Sequence, residues 1–171
     1  MDERKKLYDA QDPNHYYNAL IKGNPVQRFW HKYKFMTAVR AGRMRPDEKV
    51  LDCGCGSGTL LLFLPPDAKI TVMDISQKNV TFAKKIRPKT EGIVGSVEDA
   101  KLKKNTYDSI FFVEVLEHLK PEDEKKVLKK LYDALKPGGK LVLTTPNYHS
   151  MWPLVEIAWS KMNPIDYSCQ H

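Results

Sequence analysis

The stretch Val50-Leu51-Asp52-Cys53-Gly54-Cys55-Gly56-Ser57-Gly58-Thr59-Leu60 constrains this chain more than any other. An apolar run closes on an acid, glycines then alternate with small residues, and a second apolar segment begins. The pattern predicts a strand, a tight turn and a helix N-terminus. Glycine at such a turn lets the backbone pass close to a ligand, because no Cβ blocks the approach. The spacing is Gly-x-Gly-x-Gly. Thr59 stands where the dinucleotide pattern Gly-x-Gly-x-x-Gly needs its third glycine, which speaks against a dehydrogenase.

The loop is the first of a series of strand ends. Ile70-Thr71-Val72-Met73-Asp74 is a second β-branched run closing on an acid, and Asp74 lies 20 positions after Gly54, the length of one βαβ unit. A carboxylate at that tip can accept hydrogen bonds from both hydroxyls of a ribose. Gly95-Ser96-Val97-Glu98-Asp99-Ala100 follows a third short strand. Tyr107 to Glu114 reads as a fourth strand with its loop, and Leu135 to Thr144 as a helix end, a turn and a fifth strand.

In this order the set resembles the class I S-adenosylmethionine-dependent methyltransferases, over roughly residues 24–171. Asp52 to Gly58 looks like their glycine loop, Asp74 like their ribose acid, Glu98 like their adenine loop, and Pro137-Gly138-Gly139 like the turn before their fifth strand. Glu114-Val115-Leu116-Glu117-His118-Leu119 resembles the segment after strand four in the small-molecule branch. The resemblance implies S-adenosylmethionine as cofactor, with Asp52, Cys53, Gly54 and Gly56 at its methionine end and Asp74 at the ribose. Ile75, Val97 and Glu98 would flank the adenine, and Glu114 would be a further cofactor-binding residue. Ser96 departs from the pattern, since many relatives carry an aspartate there.

The implied fold is α/β: a Rossmann-like doubly wound sheet ordered 3-2-1-4-5, with strands near residues 49–53, 69–73, 91–94, 109–113 and 140–145. Alternating strands and helices demand a parallel sheet covered on both faces. Right-handed crossovers bring the glycine and acid motifs to the strands' C-terminal edge. The expected organisation is one domain: an arm and helix over 1–45, a cofactor-binding core over 46–146, and the start of an acceptor-side region over 147–171. The arm is expected to be loosely ordered to about Asn24, anchored by Tyr16, Tyr17 and Leu20. Val26 to Ala41 has helical periodicity in Phe29, Trp30, Tyr33, Met36 and Val39, and the helix is expected to help cover the cofactor. Arg28, His31 and Lys32 on it are candidates for the cofactor carboxylate, though plain helix surface is the preferred reading of each. The glycine loop opens a short helix ended by Pro65-Pro66, Ser76 caps a helix over Gln77 to Ile86, and Pro121 starts one running to Leu135. Past Thr145 no sixth or seventh strand is legible, so the family's last two strands are expected to be lacking and the chain to be a fragment.

Composition narrows the function classes. Apolar residues at 42% and charged residues at 29% fit a globular protein. No apolar stretch approaches the roughly 20 residues of a membrane span, and the charged N-terminus has no signal-peptide pattern. Cys53 and Cys55 are too close for a disulfide and too few for zinc, so they read as small loop residues in a reducing cytoplasm. The net charge of +7 suits nucleic acid or an anionic lipid surface. The basic residues read as scattered, however, and a solvated lysine-rich exterior is preferred.

Methyl transfer from a sulfonium needs alignment and exclusion of water more than activation. The acceptor can need deprotonation, and His118 is the candidate general base. Ordering of its loop is the competing reading. Glu114, Glu117 and His118, spaced on one face of a helical turn, could join His171 around a divalent ion. The resemblance extends there to small-RNA 2′-O-methyltransferases and to ubiquinone-pathway O-methyltransferases; the metal is possible but not favoured. The leading function is methyl transfer to a small-molecule, lipid or sugar hydroxyl. RNA 2′-O-methylation and a cofactor-binding, non-catalytic subunit are the alternatives.

Overall fold

The computed structural model describes residues 6, 10 and 12–147. The chain enters through helices α1 (Asn14–Lys22) and α2 (Pro25–Gly42). There follow β1 (Lys49–Cys53), β2 (Lys69–Asp74), α3 (Gln77–Ile86), β3 (Glu91–Val94), β4 (Tyr107–Val113), α4 (Pro121–Ala134) and β5 (Leu135–Thr144). The five strands form one sheet ordered β3-β2-β1-β4-β5, and each neighbouring pair is parallel. The expected order and direction are therefore observed.

Strand alternation builds a core on each face. Val50, Ile70, Val72 and Phe111 point to one side, where Ala38 of α2 and Val80 and Ala83 of α3 cover them. Leu51, Met73, Ile110 and Phe112 point to the other, against Val127, Leu131 and Ala134 of α4. The central strands carry apolar runs because both their faces are buried, with Asp52, Thr71, Asp74 and Ser109 as their buried polar members. Below the sheet Ser109 donates to buried Glu48 (2.9 Å), and Asp108 accepts from the Lys49 N–H (2.9 Å) and Lys136 (2.7 Å). These bonds fix the N-terminal edge and leave the C-terminal edge for ligand chemistry.

Three expectations are corrected and one is refined. The arm is helical where described. The Asp12 carboxylate accepts from the Asn14 N–H (2.9 Å) ahead of α1, Tyr17 meets the Phe82 ring edge-on (5.6 Å), and Leu20 is buried. Asp12-Pro13 was a legible start signal; the side chain of Tyr16 lies outside the described residues. Second, α2 packs through Phe35, Ala38 and Val39, whereas Phe29, Trp30 and Tyr33 face outward. The periodic set therefore spans both faces, Val39 on the core and Phe29, Trp30 and Tyr33 outward, because α2 is apolar on both sides. Third, the segment after the glycine loop closes only a 3₁₀ turn, Thr59–Leu62, before Pro65-Pro66 stops it. Fourth, α4 ends at Ala134. Leu135 already pairs with Tyr107, and Lys136 to Gly139 bulge before Lys140 pairs with Ser109. The expected absence of a sixth and seventh strand concerns residues beyond those described.

Candidate cofactor and acceptor site

The strand tips β1, β2 and β3 are tied together through Met73 and Asp74. The Gly54 and Cys55 N–H groups both donate to the Met73 carbonyl (2.8 and 2.9 Å). The Asp74 carboxylate accepts from the Gly56 N–H (2.8 Å) on one oxygen, and from the Ser76 N–H (2.9 Å) and the Asn79 amide (3.1 Å) on the other. The Asp74 carbonyl takes the Gly95 N–H (2.9 Å). Asp74 thus holds the glycine loop, the start of α3 and the loop after β3 in one frame. Asp74 thereby anchors the start of α3, where the Ser76 side chain makes no cap bond.

Asp52 lies beneath this frame, 3% exposed, with Oδ2 buried and without a hydrogen-bond partner. Burial, and then the charge of Asp74, raise its pKa from 3.8 to about 7. An orphaned buried carboxylate is costly and points to an absent cationic or donor partner. Cys53 and Cys55 are buried free thiols whose pKa values burial pushes up, so both are inert small residues. A Cβ on Gly56 or on Gly95 would meet nothing within 4 Å, so the frame opens onto free space at both loops. Ile75 is half-buried beside it.

The loop after β3 is fastened from the far side. Lys130 of α4 donates to the Val97 and Glu98 carbonyls (2.8 and 2.7 Å). The Val97 side chain packs in the α4-side core. The Ser96 hydroxyl donates to Asp99 (2.9 Å), so it closes its own turn.

At the tips of β4 and β5 a different cluster forms. Glu114 has φ +55°, a conformation costly for a non-glycine residue. Its N–H donates to the Thr144 carbonyl (3.0 Å), and its carboxylate accepts from the Thr144 hydroxyl (2.8 Å). Lys34 of α2 stands 3.9 Å from the second oxygen. Burial lowers the Lys34 pKa, opposed by Glu114 and Glu117. Burial, and then Glu114, raise the Glu117 pKa against a hydrogen bond from Thr145, and Glu117 Oε2 is buried without a partner. Lys34 was not singled out in the sequence; Arg28, His31 and Lys32 were. Nothing local marks it among the basic residues of α2, since only the fold lays that helix beside β4.

His118 ends the 3₁₀ turn Leu116–His118, half-buried, its N–H on the Val115 carbonyl (3.0 Å). The expected helical face of Glu114, Glu117 and His118 does not exist, because the left-handed Glu114 precedes the turn. Among the described residues no group of three or more His, Cys, Asp or Glu could hold a metal ion. His171 lies outside them.

A doubly wound sheet with its glycine loop, tip acid and open frame at the C-terminal edge defines a nucleotide-cofactor-binding protein. The family described as "Methyltransferase domain" matches residues 50–139, and the chain belongs to it. The ubiquinone biosynthesis O-methyltransferase, mitochondrial, of Schizosaccharomyces pombe is 37% identical over 120 residues, 65% of this chain and 43% of that protein. The ubiquinone biosynthesis O-methyltransferase of Xanthomonas axonopodis pv. citri is 32% identical over 150 residues, 83% of this chain and 56% of that protein. The chain spans about half the length of these two relatives. A solved DhpI-SAM-HEP complex shares the fold at a TM-score of 0.65 and 17% identity, covering 90% of this chain and 70% of that one. S-adenosylmethionine is the cofactor of this class. It fits the site: its ammonium meets the chemical need of the orphaned Asp52, and free space borders Gly56 and Gly95.

Proposed function

We propose that the protein transfers a methyl group from S-adenosylmethionine to a hydroxyl oxygen of a small-molecule or lipid acceptor. The observation that carries this reading is the pairing of an orphaned buried acid, Asp52, with an open glycine loop that Asp74 holds in place. The organisation proposed with it is a leading segment over 1–45, a cofactor core over 46–146 and an acceptor-side region from 147. Two buried thiols suit a reducing cytoplasm.

The cofactor, when bound, supplies an electrophilic methyl on a sulfonium. The residues supply position and proton handling. Asp52 and the Cys53 to Gly56 backbone hold the methionine end, Asp74 the ribose, Ile75 one adenine face, and the Val97–Glu98 backbone the adenine edge. Glu114, fixed by Thr144 and Lys34, closes the cofactor side from β4. His118, and Glu117 beside it with its raised pKa, are the groups able to take the acceptor's proton.

Asp74→Ala is expected to lower cofactor affinity at least tenfold, because charge-assisted bonds of about 1.5–3 kcal/mol are lost. It also orphans the donors of Gly56, Ser76 and Asn79, so the thermal midpoint should fall with it. Calorimetric titration with S-adenosylhomocysteine checks the first effect, and unchanged affinity would remove Asp74 from the site.

A panel of phenolic and catecholic acceptors with labelled S-adenosylmethionine tests the reaction. His118→Ala should retain cofactor affinity and lose about 10²–10⁴ in rate. Full activity in that variant would leave alignment as the mechanism and shift proton removal to Glu117 or solvent. Transfer to nitrogen alone would defeat the hydroxyl reading.

A further inference from the structure

The chain's charge is not scattered. Residues 13–46 contain seven lysines and arginines and no acid, while the remaining 21 basic residues match the chain's 21 acids. The whole net charge of +7 therefore sits on α1, α2 and their loops. The same helices expose large apolar side chains: Phe29 is 68% exposed, Val26 64%, Tyr33 56%, Ile21 45% and Trp30 41%. On α2 the positions 26, 29, 30 and 33 fall within one 100° arc, turned away from the face that packs through Phe35 and Ala38. Exposed Arg28 and Lys32 lie off this arc, beyond its Phe29 edge, and share a groove with Leu20, Pro25 and Phe29.

We propose that this outer face of α1 and α2 docks the protein onto an anionic lipid surface. Aromatic and aliphatic side chains enter the headgroup boundary, and basic side chains from the neighbouring groove meet lipid phosphates. Exposed Trp, Tyr and Phe beside Lys and Arg are the residue types that anchor proteins at the membrane–water boundary. No helix among the described residues is long and apolar enough to cross one. Charge complementarity disfavours a second copy, because a two-fold interface would set the same basic side chains against themselves. Single-stranded nucleic acid would need open ring faces for stacking. Phe29 and Tyr33 instead stack on each other, with centroids 6.0 Å apart at 18°, and Val26 and Ile21 offer nothing to a base. The surface does not depend on the identity of the methyl acceptor.

Sedimentation of the full chain with vesicles tests this. Vesicles of phosphatidylcholine and phosphatidylglycerol in equal parts should bind at least about tenfold more tightly than phosphatidylcholine alone, since each basic group near an anionic surface contributes about fivefold. High salt should weaken the binding. F29S/Y33S and R28E/K32E should each reduce it about tenfold or more while melting like the parent protein, because all four side chains are exposed. Equal binding to both vesicle types, absence of binding, or two folded variants that bind like the parent would overturn the proposal. Displacement from the vesicles by a single-stranded RNA oligonucleotide that needs the same four side chains would assign the surface to nucleic acid instead.

Discussion

Asp52→Asn is expected to stabilise the cofactor-free protein above neutral pH. The Asp52 carboxyl titrates at about 7 in the fold against 3.8 as the ordinary value. Its protonated form therefore favours the folded state, and that contribution is full below about 4 and lost as the pH rises through 7. The slope is about 1.4 kcal/mol per pH unit across that window, so the charged form costs up to about 4 kcal/mol at pH 8. Asparagine keeps the shape and removes the charge. Its amide still needs partners where Oδ2 has none, at about 1–3 kcal/mol, so the net gain is about 1–3 kcal/mol. At 2–4 °C per kcal/mol this raises the thermal midpoint by roughly 2–12 °C at pH 8. At pH 5 the gain should shrink or reverse. Denaturant unfolding of both proteins from pH 5 to 8 checks it, and parallel stability curves would show that Asp52 is not a strained buried charge. A protein that tolerates such a charge has a use for it. With a cationic ammonium seated above Asp52, the same substitution should weaken cofactor binding most at high pH, where the parent carboxylate is ionised.

Much of the fold was legible because the signals were local. β-branched runs ending on Asp52 and Asp74, the helix-opening Pro121 and the Gln77–Ile86 segment each carry their structure within about ten residues. The frame was legible in part: residue types named Asp74 and Gly56, but their mutual hydrogen bond belongs to the packed sheet. Lys34 was not legible, because its meeting with Glu114 joins positions eighty apart through the docking of α2. The helical spacing of Glu114, Glu117 and His118 misled for a related reason. Spacing assumes regular backbone, and Glu114 turns left-handed where β4 leaves the sheet. The outward stripe of α2 was not legible as such, because periodicity reports a helix and only burial says which face is covered.

Gly56 and Gly58 hold like places in the Gly-x-Gly-x-Gly spacing, and substitution should separate them. Both have positive φ, +49° and +67°, so alanine at either costs about 1–2 kcal/mol in backbone strain. A Cβ on Gly58 would also lie 2.7 Å from Ala83 Cβ and 2.9 Å from Ala83 Cα. Ala83 is fully buried in α3, so its backbone has nowhere to retreat. Overpacking adds about 1–3 kcal/mol. Gly58→Ala is thus expected to lose about 2–5 kcal/mol, a fall of roughly 4–20 °C in the thermal midpoint. A Cβ on Gly56 meets nothing within 4 Å, so Gly56→Ala should lose only the backbone term. Its methyl would instead stand in the space open to the cofactor, and S-adenosylhomocysteine affinity should drop by more than its stability loss accounts for. Gly58→Ala, assayed well below its lowered melting point, should bind with near-parent affinity. Thermal melts and calorimetric titrations on the two variants therefore give opposite orders. If both rank the variants alike, Gly56 and Gly58 serve one structural purpose, and the free space at the glycine loop is not where the cofactor lies.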